Sequence, residues 1–100
     1  MARVKKLSPI TPGEILLEEF VKPLGMNAHQ LALELHVPAN RITAIIDGER
    51  AISADTALRL ARYFGVSAEF WINLQARYDL KRAQAELAAQ IEREVRPRAA

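Results

Sequence analysis

Apolar residues recur at three- and four-residue spacing along this chain, in short blocks with a cap-forming residue in front and a glycine or proline behind. In "TPGEILLEEFVKPLG", Thr11 can cap a helix, Pro12 suits its first position and Glu14 sits three residues after the cap. Ile15, Leu16 and Phe20 then turn to one side before Pro23 and Gly25 close the segment. Asn27 and Gln30 repeat the capping box ahead of Leu31, Ala32 and Leu35. A third block follows "HVP", carries Ile42, Ile45 and Ile46 on one side, and ends at Gly48 as a left-handed C-cap. A fourth opens with "SADT", turns Ala57, Leu60, Ala61 and Phe64 inward and stops at Gly65. The fifth opens with "SAEF" and can continue to Pro97. Strand-like alternation is absent, so the pattern predicts an all-α chain of five helices joined by connections of about 3–6 residues.

The second and third blocks carry the most specific pattern. Ala32 is small enough for two helices to cross closely, Val37 can plug the angle between them, and the isoleucines anchor the second helix. Outside remain Ala39, Asn40, Arg41, Thr43 and Ala44, mostly near the start of that helix. This is the layout of a helix-turn-helix, whose second helix enters the major groove N-terminus first. Short polar and small side chains suit that place: Asn pairs with adenine, Arg with guanine, and Ala or Thr meets the thymine methyl. These five residues are the expected base contacts. Arg3, Lys5, Lys6 and Arg50 are the expected phosphate contacts, joined by His29 and Gln30 at the start of the second helix. The other reading of the same pattern is a helical hairpin with no DNA role.

The fifth block is too long for a small domain to cover. Phe70, Trp71, Leu74 and Tyr78 dock its first turns, and Leu80, Ala83, Leu87 and Ile91 then form a thin apolar seam that needs a partner. Homodimerisation through residues 70–95 is expected, using Trp71, Leu74, Tyr78, Leu80, Leu87 and Ile91, with Trp71 serving either the core or the dimer seam. The expected organisation is a basic arm over residues 1–10, a helix-turn-helix domain over 11–66 and a dimerising helix over 67–96.

Composition adds exclusions. One hundred residues, half of them hydrophobic, are enough for one domain with a modest core. With no cysteine there is no disulfide, iron–sulfur cluster or thiolate zinc site. His29 and His36 have no nearby carboxylate pattern, so neither metal nor cofactor is expected. No Ser–His–Asp grouping or phosphate loop occurs, and Glu14 and Glu18 read as a cap and a solvated face, so the chain is not expected to be an enzyme. Arg59 and Arg62 pair with Asp55 and Glu69 or point to solvent, and Gln75 with Asp79 reads as a local hydrogen-bonded pair. No membrane span or secretory signal is evident, which makes a cytoplasmic location the expectation. The net charge of +2 is small, but the basic arm precedes an acidic first helix, which fits a polyanion on one side and a different partner on the other, or equally a solvated tail and a solvated face.

Residues 11–66 resemble the Cro/repressor-like helix-turn-helix family, including "IIDGERAISADTALRLARYFGVS" after the reading helix. A narrower resemblance, to the HigA/VapI-type antitoxins, rests on Pro12-Gly13-Glu14-Ile15-Leu16, Ala57-Leu58-Arg59-Leu60, Phe70-Trp71, Leu74-Gln75 and Tyr78-Asp79-Leu80. It implies a dimeric repressor of its own toxin–antitoxin operon that binds double-stranded operator DNA. It also implies a RelE-like, messenger-RNA-cleaving toxin as partner. The alternative is a stand-alone regulator of the same fold with no toxin. His36 departs from the family, which often places glycine there, and the turn therefore predicts a positive or near-bridge φ at His36.

Overall fold

The computed structural model describes residues 9–99. It contains five helical segments, with no strand among the described residues. Helix α1 (Pro12–Ile15) starts where the Thr11 hydroxyl accepts a hydrogen bond from the Glu14 N–H at 3.0 Å. It runs on as a widened π-helical segment, Leu16–Val21, and closes with a 3₁₀ turn, Lys22–Leu24. Sequence spacing did not anticipate the widening. It ends where Pro23 removes the next backbone donor. In a regular α-helix Leu16 and Val21 would point well apart. The wider turn draws them toward one face, and both are fully buried.

Helix α2 (Ala28–Leu35) has the complete capping box: the Asn27 side chain accepts from the Gln30 N–H at 2.8 Å, and Gln30 accepts from the Asn27 N–H at 2.9 Å. Helices α3 (Ala39–Ile46) and α4 (Ala54–Phe64) follow, the latter capped by Ser53 and stopped by Gly65. Helix α5 (Ala68–Glu94) is a single 27-residue helix, about 40 Å long.

The core gathers Leu16, Val21, Leu31, Ala32, Leu35, Ile42, Ile45, Ile52, Ala57, Leu60 and Trp71. Trp71 does not lie on a seam for a second copy; its side chain is fully buried. It stacks obliquely on Phe20 with ring centroids 4.8 Å apart, and Phe70 meets it edge-on at 5.0 Å. Leu74 also packs against the core. The first turns of α5 are thus part of the same packed unit as α1 to α4.

Beyond those turns α5 leaves the body. The radius of gyration is 16.6 Å, against about 13 Å expected for a compact chain of this length. Leu80, Leu87 and Ile91 on this projecting part are 60%, 43% and 49% exposed. No helix among the described residues is long and apolar enough to cross a membrane.

Candidate nucleic-acid interface

The turn between α2 and α3 decides how α3 is presented. His36 has φ 60° and ψ 46°, a left-handed conformation and the first of the two geometries expected there, positive or near-bridge φ, and it is the one non-glycine residue with positive φ among those described. Its N–H donates to the Leu33 carbonyl at 3.2 Å and the Val37 N–H to the Ala32 carbonyl at 3.0 Å. This pair of bonds closes the C-terminus of α2 as a Schellman motif. Val37 packs against the core, Ala32 is buried in it, and Pro38 caps the start of α3.

Helix α3 is held down from two directions. Ile42 and Ile45 are buried beneath it. At its C-terminal end, α1 approaches main chain to main chain: a Cβ on Gly13 would lie 1.8 Å from the Ile45 carbonyl oxygen. Only glycine permits that approach. Spacing alone does not single out Gly13, because the "PGE" run that carries it reads equally well as a helix cap.

Of the five expected base contacts, Asn40 is exposed, and Thr43 and Ala44 are half-buried on the flank of α3. The Thr43 hydroxyl bonds the Asn40 carbonyl at 3.4 Å. Ala39 is placed differently from the expectation. It packs against the core, because positions 39, 42 and 46 fall on one stripe of the helix. Arg41 is not an open arm either: its side chain is 23% exposed and ion-paired with Asp55 of α4. The same Asp55 oxygen accepts from Arg59 Nε at 3.0 Å, and Arg59 Nη1 donates to the Leu35 carbonyl at 2.9 Å. These bonds hold the Asp55 carboxyl below its ordinary value of 3.8, Arg59 contributing most and Arg41 next. Of the two expected alternatives for Arg59, pairing with Asp55 or pointing to solvent, the pair is the one present, at i,i+4, while the Arg41 pairing spans fourteen residues and was not expected.

Among the expected phosphate contacts, Arg50 is exposed in the loop after α3, and His29 is exposed on the first turn of α2. The side-chain carbonyl of Gln30 is engaged in its own helix cap. Arg3, Lys5 and Lys6 lie outside the described residues. The Arg50 loop is pinned from α5, where Gln75 Oε1 accepts from the Ile52 N–H at 2.8 Å while its amide donates to Asp79 at 3.0 Å. The Gln75–Asp79 half of that arrangement was expected, and the Ile52 half was not.

The helix-turn-helix family model matches residues 17–71. Virulence-associated protein I of Dichelobacter nodosus is 53% identical over 81 residues, covering 81% of this chain and 75% of that protein. The chain belongs to this helix-turn-helix family. A HigA-family addiction module antidote protein from Coxiella burnetii matches with TM-score 0.86 and 53% identity, covering 92% of this chain and all of that one. The Pseudomonas aeruginosa antitoxin HigA, solved with the higBA promoter, matches with TM-score 0.88 and 46% identity over 91% of this chain and 99% of that one. The family thus includes a member solved on promoter DNA, and the all-α, five-helix fold expected from the sequence is the fold of these relatives.

Proposed function

We propose that this protein is a cytoplasmic, dimeric, non-catalytic repressor that binds its own operator and, as an antitoxin, sequesters a RelE-like messenger-RNA-cleaving toxin. The observation that carries the DNA reading is the presentation of α3. Its outer side, with exposed Asn40 and half-buried Thr43 and Ala44, follows a left-handed turn in the helix-turn-helix arrangement that suits a major groove. The HigA relative solved with promoter DNA supports the same reading. Asn40, Arg41, Thr43 and Ala44 are the proposed base contacts, with Arg50, His29 and the basic arm over residues 1–10 toward phosphate.

Two copies would dimerise along the projecting part of α5 through Leu80, Leu87 and Ile91, with Tyr78 at its inner edge. That would set the two α3 helices for half-sites about 34 Å apart. Residues 11–66 would then form the DNA-binding part together with the buried first turns of α5, and the remainder of α5 would serve dimerisation.

A gel shift on the protein's own promoter region tests the DNA reading. Asn40→Ala or Arg41→Ala should each cost roughly 1–3 kcal/mol on the operator and relax preference at one base position. Equal loss on unrelated DNA would reduce them to phosphate contacts. Co-expression with a neighbouring toxin-sized reading frame tests the antitoxin role, which fails if growth arrest by that frame is not relieved. Sedimentation of Leu87→Glu alongside the unaltered chain tests the dimer, which fails if both sediment as monomers at micromolar concentration.

A further inference from the structure

The Arg41–Asp55–Arg59 cluster lies against the reading helix and carries more positive than negative charge. Asp55 sits in the first turn of α4, where a carboxylate also suits the helix dipole. One of its oxygens receives both guanidinium groups, one from the first turn of α3 and one from α4. Through Arg59 the connection extends to the last carbonyl of α2, at Leu35. A single half-exposed carboxylate, 54% accessible, therefore ties together all three helices around the turn. Arg41 Nε is buried without a hydrogen-bond partner, so its guanidinium rests where Asp55 draws it rather than where every donor is satisfied.

We propose that Asp55 is a positioning residue for sequence discrimination: it holds Arg41 in one orientation for base contact and keeps that guanidinium from the phosphates of unrelated DNA. This inference rests on the DNA reading above. An unpaired arginine binds any phosphate, which is the sequence-independent part of DNA affinity. An arginine already paired with a carboxylate must give up that pair to reach a phosphate. It gains less from random DNA than from a site where a base edge replaces or joins the pair. Arg59 is fixed twice, by Asp55 and by the Leu35 carbonyl, and acts as the brace that keeps the carboxylate in place.

The test compares binding to a duplex covering the protein's own promoter with binding to a scrambled duplex of the same length and composition, over a range of salt. Asp55→Asn keeps the size of the side chain and one acceptor oxygen while removing the charge. It should tighten binding to the scrambled duplex and steepen its log–log salt slope by up to about 0.9, the value of one additional phosphate contact. The ratio of promoter to scrambled affinity should fall by about fivefold or more, the lower end of what one base contact supplies. In an Arg41→Ala background the same Asp55→Asn change should alter that ratio by less than about twofold, because there is no longer a guanidinium to release. An unchanged ratio, or the same fall in both backgrounds, overturns the proposal and leaves Asp55 as bulk charge. A wild-type protein that binds both duplexes equally overturns the DNA reading itself, and this inference with it. Circular dichroism on each variant separates loss of fold from loss of discrimination.

Discussion

Replacing Gly13 by alanine should be among the most damaging single-methyl additions to this chain. The added Cβ would lie 1.8 Å from the Ile45 carbonyl oxygen, 2.6 Å from its carbonyl carbon and 2.8 Å from Ile46 Cα. All three are main-chain atoms, so no side chain can rotate out of the way. The nearest contact must open from 1.8 Å to at least 3.0 Å, which means moving α1 off the C-terminal end of α3. Overpacking in a core costs about 1–3 kcal/mol when neighbours can adjust, and here the upper end applies because two backbones must part. Alanine's better helix propensity returns at most about 1 kcal/mol. A net loss of about 2–3 kcal/mol should lower Tm by roughly 10–20 °C for a domain of this size. Gly25→Ala is the matched control: nothing lies within 4 Å of its Cβ position, but φ is +68°, so it should cost only about 1–2 kcal/mol from backbone strain. Thermal melts followed by circular dichroism give both values. If Gly13→Ala melts within about 4 °C of the parent chain, or less damagingly than Gly25→Ala, the backbone contact is not what seats α3.

Three further outcomes follow from the same geometry. His36→Gly should stabilise the protein by about 0.5–1 kcal/mol, since glycine adopts φ 60° without the strain histidine bears, partly offset by its freer unfolded chain. A lower Tm would mean that the imidazole makes a contact worth more than that strain. Gln75→Leu leaves the half-buried Ile52 N–H without its acceptor and should cost about 1–3 kcal/mol in urea unfolding, with faster amide exchange at Ile52. Unaltered exchange there would show that the loop is held by packing alone. Asp55 has a folded-state pKa below its ordinary 3.8, so its contribution to stability is present above that value and is lost as pH falls through the lower one. The Tm difference between Asp55→Asn and the parent chain should therefore be constant near neutrality and shrink below about pH 4, and a gap that persists at the acid end would contradict the pairing.

The parts of this fold that were legible in the sequence are those set by local chemistry. Asn27 and Gln30 announce a capping box within four residues, Ser53 and Gly65 bound α4, and Ala32 with Val37 reveals a helix crossing because its small and plugging residues lie near in sequence. His36, standing where the resembled family often has glycine, was expected at a positive or near-bridge φ, and the positive value is the one found. What escaped was set by distant partners. Gly13 needs Ile45 to explain it, Gln75 needs Ile52, and Arg41 needs Asp55. The packing of Ala39 escaped for a related reason. A small residue at a helix start fits a groove or a core equally well, and only the stripe it shares with Ile42 and Ile46 decides. Trp71 carried both readings in the sequence, and the aromatic contacts with Phe20 and Phe70 chose the core.

The way α3 is seated also bears on how such a protein can change over generations. Its anchorage uses Ile42, Ile45 and a main-chain contact with Gly13, none of which draws on Asn40, Thr43 or Ala44. Under the proposed base readout, substitutions at exposed Asn40, and size-conserving ones at half-buried Thr43 and Ala44, would leave that anchorage in place, so a new operator could be acquired in single steps. Arg41 is the exception, because its side chain is shared with Asp55 on another helix. Lineages that replace one of that pair should replace the other soon after, leaving a correlated pair of positions in an otherwise freely drifting recognition surface.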